Sequence, residues 1–102
     1  MSPAPKAPAP PKHLSKSAQS RWRAIVKSYE FETAQLMVLQ ATLDAWDRMN
    51  EARVKIKFEG MTFKDRFGQV KANPLCSIER DARSQVIQGY RALGLDYVPD
   101  ED

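Results

Sequence analysis

The chain has a single cysteine and a single histidine among its 102 residues. One thiol, Cys76, excludes an intrachain disulfide and fits a reducing compartment. One imidazole, His13, sits at the edge of a proline-rich lead and offers no second histidine for a zinc site or a Ser-His-Asp relay. Glycine is also scarce: Gly60, Gly68, Gly89 and Gly94 are scattered. None opens a glycine-rich loop running into Lys-Ser or Lys-Thr, so a phosphate-cradling nucleotide site is not expected. No stretch approaches the ~18 apolar residues of a membrane span, and the first residues lack the apolar core of a signal peptide. The expectation is a soluble chain, not exported by these signals and with no membrane partner.

Acid is missing from Met1 to Ser28, which carries Lys6, Lys12, Lys16, Arg21, Arg23 and Lys27. Cations are missing from residues 96–102, which carry four acids. The net charge of +3 therefore conceals a basic head and an acidic tail. A basic head fits a polyanion, which it would contact through phosphates in a salt-sensitive, sequence-independent way. The plainer account is that both ends only solubilise the chain. The six cations are the charge-based candidates for DNA binding, since they join a flexible arm to a helix face.

What is present divides the chain into an arm, a helical region and a tail. Residues 1–13 hold five of the seven prolines and read as a disordered Pro-rich basic arm. Residues 14–95 read as a helical oligomerisation and DNA-binding domain, and 96–102 as an acidic tail. A first helix starts near Ser15 or Ser17 as cap, with Trp22, Ile25, Val26 and Tyr29 on its apolar face. A long second helix spans roughly Thr33 to Phe58, with Thr33 a plausible cap and Gly60 its stop. Runs around Met61–Phe63 and Gln69–Ala72, separated by "KDRFG", give a β-hairpin signal at about 61–72. The last helix opens at Asn73-Pro74, a capping residue followed by proline where the missing N–H costs nothing. Its buried face reads Leu75, Ile78, Ala82, Val86, Tyr90 and Leu93. Gly89 falls inside it, which a close crossing against the second helix would rationalise. The fold class is thus mainly α: a short N-terminal helix, a long central helix, a small hairpin and a C-terminal helix.

The second helix carries two apolar stripes on nearly opposite sides. One is Leu36, Leu39, Leu43, Trp46 and Val54; the other is Val38, Ala41, Ala45, Met49, Ala52 and Ile56. A small domain gains stability by association, so the second stripe, with Phe63 and Val70 of the hairpin, is the expected oligomer interface. The alternative is that the chain covers both stripes itself. Asp44, Asp47 and Glu51 lie between them as a conceivable carboxylate metal site. Asp44–Arg48 and Glu51–Lys55 are i,i+4 pairs, however, and a salt-bridged solvated face accounts for them, so no metal and no cofactor is expected. Cys76, in the first turn of the last helix among apolar neighbours, reads as packed rather than nucleophilic. No catalytic set emerges, and the chain is expected to bind rather than transform.

The order of these features resembles the terminase small subunits of tailed phages, in particular the cohesive-end branch that works with an HNH nuclease. The resemblance lies in a Pro-rich lead into Leu14, Ser15 and Trp22, and a long helix ended by Gly60. It continues in the junction Gly68, Val70, Asn73 and Pro74, and in the closing Leu93, Gly94 and Leu95. It implies a non-catalytic subunit assembled in a ring of roughly eight to ten copies. Its implied partners are double-stranded viral DNA, the large ATPase–nuclease subunit and an HNH nuclease, in the cytoplasm of the infected host. Two departures stand out: the chain is short for the family, and the proline after "LGL" is delayed to Pro99. A helical interaction adaptor or antitoxin-like regulator without DNA binding stays open as the other reading. So does a small enzyme whose site would be assembled between subunits from Asp44, Asp47 and Glu51.

Overall fold

Three helices and one hairpin form in the expected order: α1 (Lys16–Ser28), α2 (Thr33–Glu59), β1 (Thr62–Lys64), β2 (Val70–Ala72) and α3 (Pro74–Ala92). The structure, a computed structural model, describes residues 7–95, so Lys6 and the acidic segment 96–102 lie outside the described residues. Of the two serines that could cap α1, Ser15 does so, its Oγ accepting from the Ala18 N–H at 3.0 Å. At the start of α2 the cap is Glu32 rather than Thr33, which becomes the first helical residue. Gln35 Oε1 reaches back to accept from the Glu32 N–H at 2.8 Å, satisfying a donor that the helix itself leaves orphaned. At the far end Gly60 takes φ +90° and donates its N–H to Ile56 O at 2.7 Å, which stops the helix.

α2 and α3 form an antiparallel pair and make the most extensive contact in the molecule. Thr42 meets Gly89, Arg48 meets Gln85, Arg53 meets Glu79 and Gly60 meets Asn73. Numbers rise along α2 as they fall along α3, so this register runs the whole length of α3. Thr42, Ala45, Met49 and Ala52 recur at three- and four-residue steps on the α2 face that meets Gly89, and all four are buried. Opposite them α3 buries Ala82, Val86 and Gly89. The alanine-rich stripe is therefore largely covered by the chain's own last helix, because small residues on both sides let the two backbones approach closely. Ala45, Met49 and Ala52 are spent inside the protomer; Val38 and Ala41 stay exposed and Ile56 is half-buried.

The other stripe meets α1. Leu39 and Leu43 are fully buried with Leu14, Ala18, Trp22, Ile25 and Leu93, flanked by Leu36, Trp46 and Tyr90. α1 is short and covers only the first half of α2, which is why Val54, on the same stripe further along, is 57% exposed. For the same reason the α3 face frays at Ile78, which is exposed near the hairpin end.

Candidate nucleic-acid interface

Burying Ala18, Trp22 and Ile25 fixes the rotation of α1. At about 100° per residue, Lys16, Arg23 and Lys27 then fall within roughly 40° of one another on the opposite side. All three are exposed. Among the described residues none has a carboxylate partner; Arg23 only touches Gln19 Oε1 at 3.4 Å. The row spans about 16 Å along the helix. Exposed Lys12 precedes it in the chain.

Arg21 belongs to a different structure. It is half-buried, its guanidinium 4.9 Å from the Trp46 ring and 3.5 Å from the Tyr90 hydroxyl. It therefore ties α1 to α2 and α3 rather than extending the outward row.

Two contacts absent from the sequence reading clamp the entry to α1 onto α2. Ser15 donates from both its N–H (2.9 Å) and its Oγ (2.5 Å) to the Asp47 carboxylate, and His13 Nε2 lies 2.6 Å from Asp44 Oδ1. Further back, the Trp22 indole donates to Pro8 O at 2.8 Å, so the chain from Pro8 onward follows a defined path beside α1. The carboxylates considered as a metal site are thus divided among other partners: Asp44 to His13, Asp47 to Ser15, and Glu51 to Lys55 at 3.4 Å. Asp44 and Arg48 do not form the expected pair, since Arg48 turns to Gln85 across the helix pair. No group of three or more His, Cys, Asp or Glu is placed to hold a metal among the described residues. These side chains line an open cleft of about 580 Å³.

The hairpin stands off the helices. Every residue of β1 and β2 is exposed, and the register pairs Thr62 with Ala72, Phe63 with Lys71 and Lys64 with Val70. Successive side chains alternate faces, so Phe63 and Val70, expected together at one interface, lie on opposite faces of the ribbon. Asp65 builds its turn: its carboxylate accepts from the N–H groups of Phe67 (2.8 Å) and Gln69 (3.0 Å), and Gly68 takes φ +78°. Around this end Phe58, Met61 and Phe67 are between 69% and 86% exposed. Lys57, Lys64 and Lys71 have no carboxylate partner among the described residues. Lys57 lies in the last turn of α2, where it complements the helix dipole. The hairpin cations Lys64 and Lys71 are not marked by the charge asymmetry of the two chain ends, and lysines alternating with apolar residues in a strand are the signal that could have found them. At the base, Asn73 Oδ1 caps α3 through the Leu75 N–H, and the Cys76 thiol lies half-buried, 3.8 Å from Met61 O.

With this geometry in hand, comparison with known families gives one finding: a family model described as phage terminase, small subunit, matches residues 18–98. The matched span takes in α2, α3, the hairpin and all of α1 but its first two residues. No curated protein and no solved structure matches.

Proposed function

The chain belongs to the small-subunit family of phage terminases, and we propose from that premise that it is a non-catalytic DNA-recognition subunit of a genome-packaging motor. Terminase small subunits are generally non-catalytic. Its work in the infected cell is to bind double-stranded viral DNA at the start of packaging and bring it to the large ATPase–nuclease subunit. An HNH nuclease is a further partner of that complex, in keeping with the cohesive-end branch. No helix among the described residues is long and apolar enough to cross a membrane.

The observation that carries the DNA reading is the outward row of Lys16, Arg23 and Lys27. Three exposed cations, without acid partners among the described residues, lie along one helix whose other face is buried in the core. Such a row holds positive potential where a phosphate backbone can displace its counterions. Exposed Lys12 precedes the row in the chain, and Lys6, the remaining cation of the basic head proposed to contact DNA besides Arg21, lies outside the described residues. Assembly into a ring is the second part of the proposal. It uses surfaces α3 leaves open: Val38, Ala41 and Ile56 on α2, with Phe58 and Met61 where the chain leaves α2. Exposed apolar area of that kind is rare on a small protein without a partner.

The direct test is DNA binding by the K16Q/R23Q/K27Q variant. Removing three phosphate contacts should reduce the slope of log affinity against log salt by about 2.7. An unchanged slope and affinity would remove α1 from the interface.

A further inference from the structure

We propose that the β-hairpin is a second DNA-contacting element, a short ribbon whose lysines and arginine grip phosphates while Phe67 at its tip meets the bases or sugars. The inference rests on the DNA reading above but uses a different surface, at the other end of the molecule.

Three observations carry it. The pairing sets one apolar residue across from one lysine on each face: Phe63 with Lys71, and Val70 with Lys64. A dry protein–protein contact would bury those lysines with the apolar side chains, and lysine is depleted from such interface centres. A polyanion uses both, with ammonium groups on phosphates and aromatic or aliphatic groups on what lies between. Second, the tip itself is Arg66-Phe67, the guanidinium 5.1 Å from the exposed ring. Third, the local acid is already engaged: both described bonds to Asp65 Oδ1 come from backbone N–H groups of the turn, and Asp65 forms no ion pair with Lys64 or Arg66.

The shape agrees with the chemistry. A two-stranded ribbon fits the major groove of B-form DNA, and every strand residue here is exposed. The start of α1 is tied to Asp47, thirteen residues before Gly60, so the near end of the Lys16 row lies about 20 Å from the base of the hairpin and its far end about 35 Å. A duplex held at both places is therefore contacted over up to about a turn of helix, or is shared between neighbouring copies.

The test is fluorescence anisotropy with a labelled mixed-sequence duplex of about 30 bp, titrated between roughly 50 and 200 mM NaCl. Four chains are compared: the full chain, K64Q/R66Q/K71Q, F67A and K16Q/R23Q/K27Q. Circular dichroism and native mass spectrometry check folding and assembly of each. The hairpin variant is expected to lose about tenfold or more in affinity at low salt, with a slope shallower by about 2.7. Phe67→Ala should weaken binding several-fold without changing the slope, since it removes no charge. A hairpin variant that binds like the full chain overturns the inference, and a concurrent change in subunit number would assign the hairpin to protein contact instead. Loss confined to the α1 variant overturns the hairpin inference while leaving the DNA reading intact. A full chain with no salt-dependent binding ends both.

Discussion

Substituting Gly89 by alanine sets two physical effects against each other. Gly89 lies inside α3, and helix propensity alone favours alanine there by about 1 kcal/mol. The structure reverses the sign. A Cβ at this position would lie 1.9 Å from Thr42 Oγ1, 2.8 Å from its Cγ2 and 2.9 Å from its Cβ. Thr42 is buried and its hydroxyl donates to Val38 O at 2.7 Å, so the side chain has no open space to turn into. Either the threonine leaves its rotamer or the two helices part, at an overpacking cost of about 1–3 kcal/mol. A larger cost follows if the whole α2–α3 register shifts. Contacts this short put the overpacking cost in the upper part of that range, about 2–3 kcal/mol, and the propensity gain of about 1 kcal/mol leaves a net loss of about 1–2 kcal/mol. For a domain of this size that corresponds to a fall in Tm of about 4–8 °C for each kcal/mol. Urea unfolding followed by tryptophan fluorescence measures it, at fixed protomer concentration because association would shift the midpoint. Thr42→Ala removes the two nearest atoms and should be close to neutral alone. The double variant should recover much of the loss, with a favourable coupling of about 1 kcal/mol or more. Recovery stays incomplete because the Cβ of residue 42 remains. A Gly89→Ala chain as stable as the parent would refute the close approach on which the α2–α3 packing rests.

Three further changes test the joints that place the candidate surfaces. Asn73→Ala should cost about 2 kcal/mol in the same assay, because this buried residue caps α3 and also donates to Gly60 O at 2.9 Å. Gly60→Ala should cost about 1–3 kcal/mol from backbone strain alone: φ is +90°, and the added methyl would meet nothing nearer than Thr62 O at 3.7 Å. Ser15→Ala should cost about 1–2 kcal/mol, while Ser17→Ala should be near neutral, since only Ser15 caps α1. Equal effects at the two serines would contradict that assignment.

Local signals were legible where one residue type decides a local event. Asn73-Pro74 opened α3, Gly60 closed α2, and Asp65 with Gly68 made the hairpin turn, because capping and positive φ depend on a few neighbouring atoms. The two stripes of α2 were legible as well, but not what covers them. Periodicity gives the direction of a side chain and is silent on whether the partner is the same chain or another. Gly89 pointed to a close crossing against α2, whereas its partner, Thr42, is visible only once the register of the two helices is known. The i,i+4 spacing of Asp44 and Arg48 misleads for a similar reason: the partner of Asp44 is His13, and that of Asp47 is Ser15, both about thirty residues away. Arg21 was grouped with the other cations by charge, and its distances to Trp46 and Tyr90 separate it from them.

Native mass spectrometry of the full chain, alone and with duplex DNA from the packaging end of the phage genome, tests the central claim most directly. The expected result is a closed assembly of several copies that takes up DNA and releases it as salt rises. A chain that stays monomeric and passes through with no bound DNA would contradict both the assembly and the recognition role.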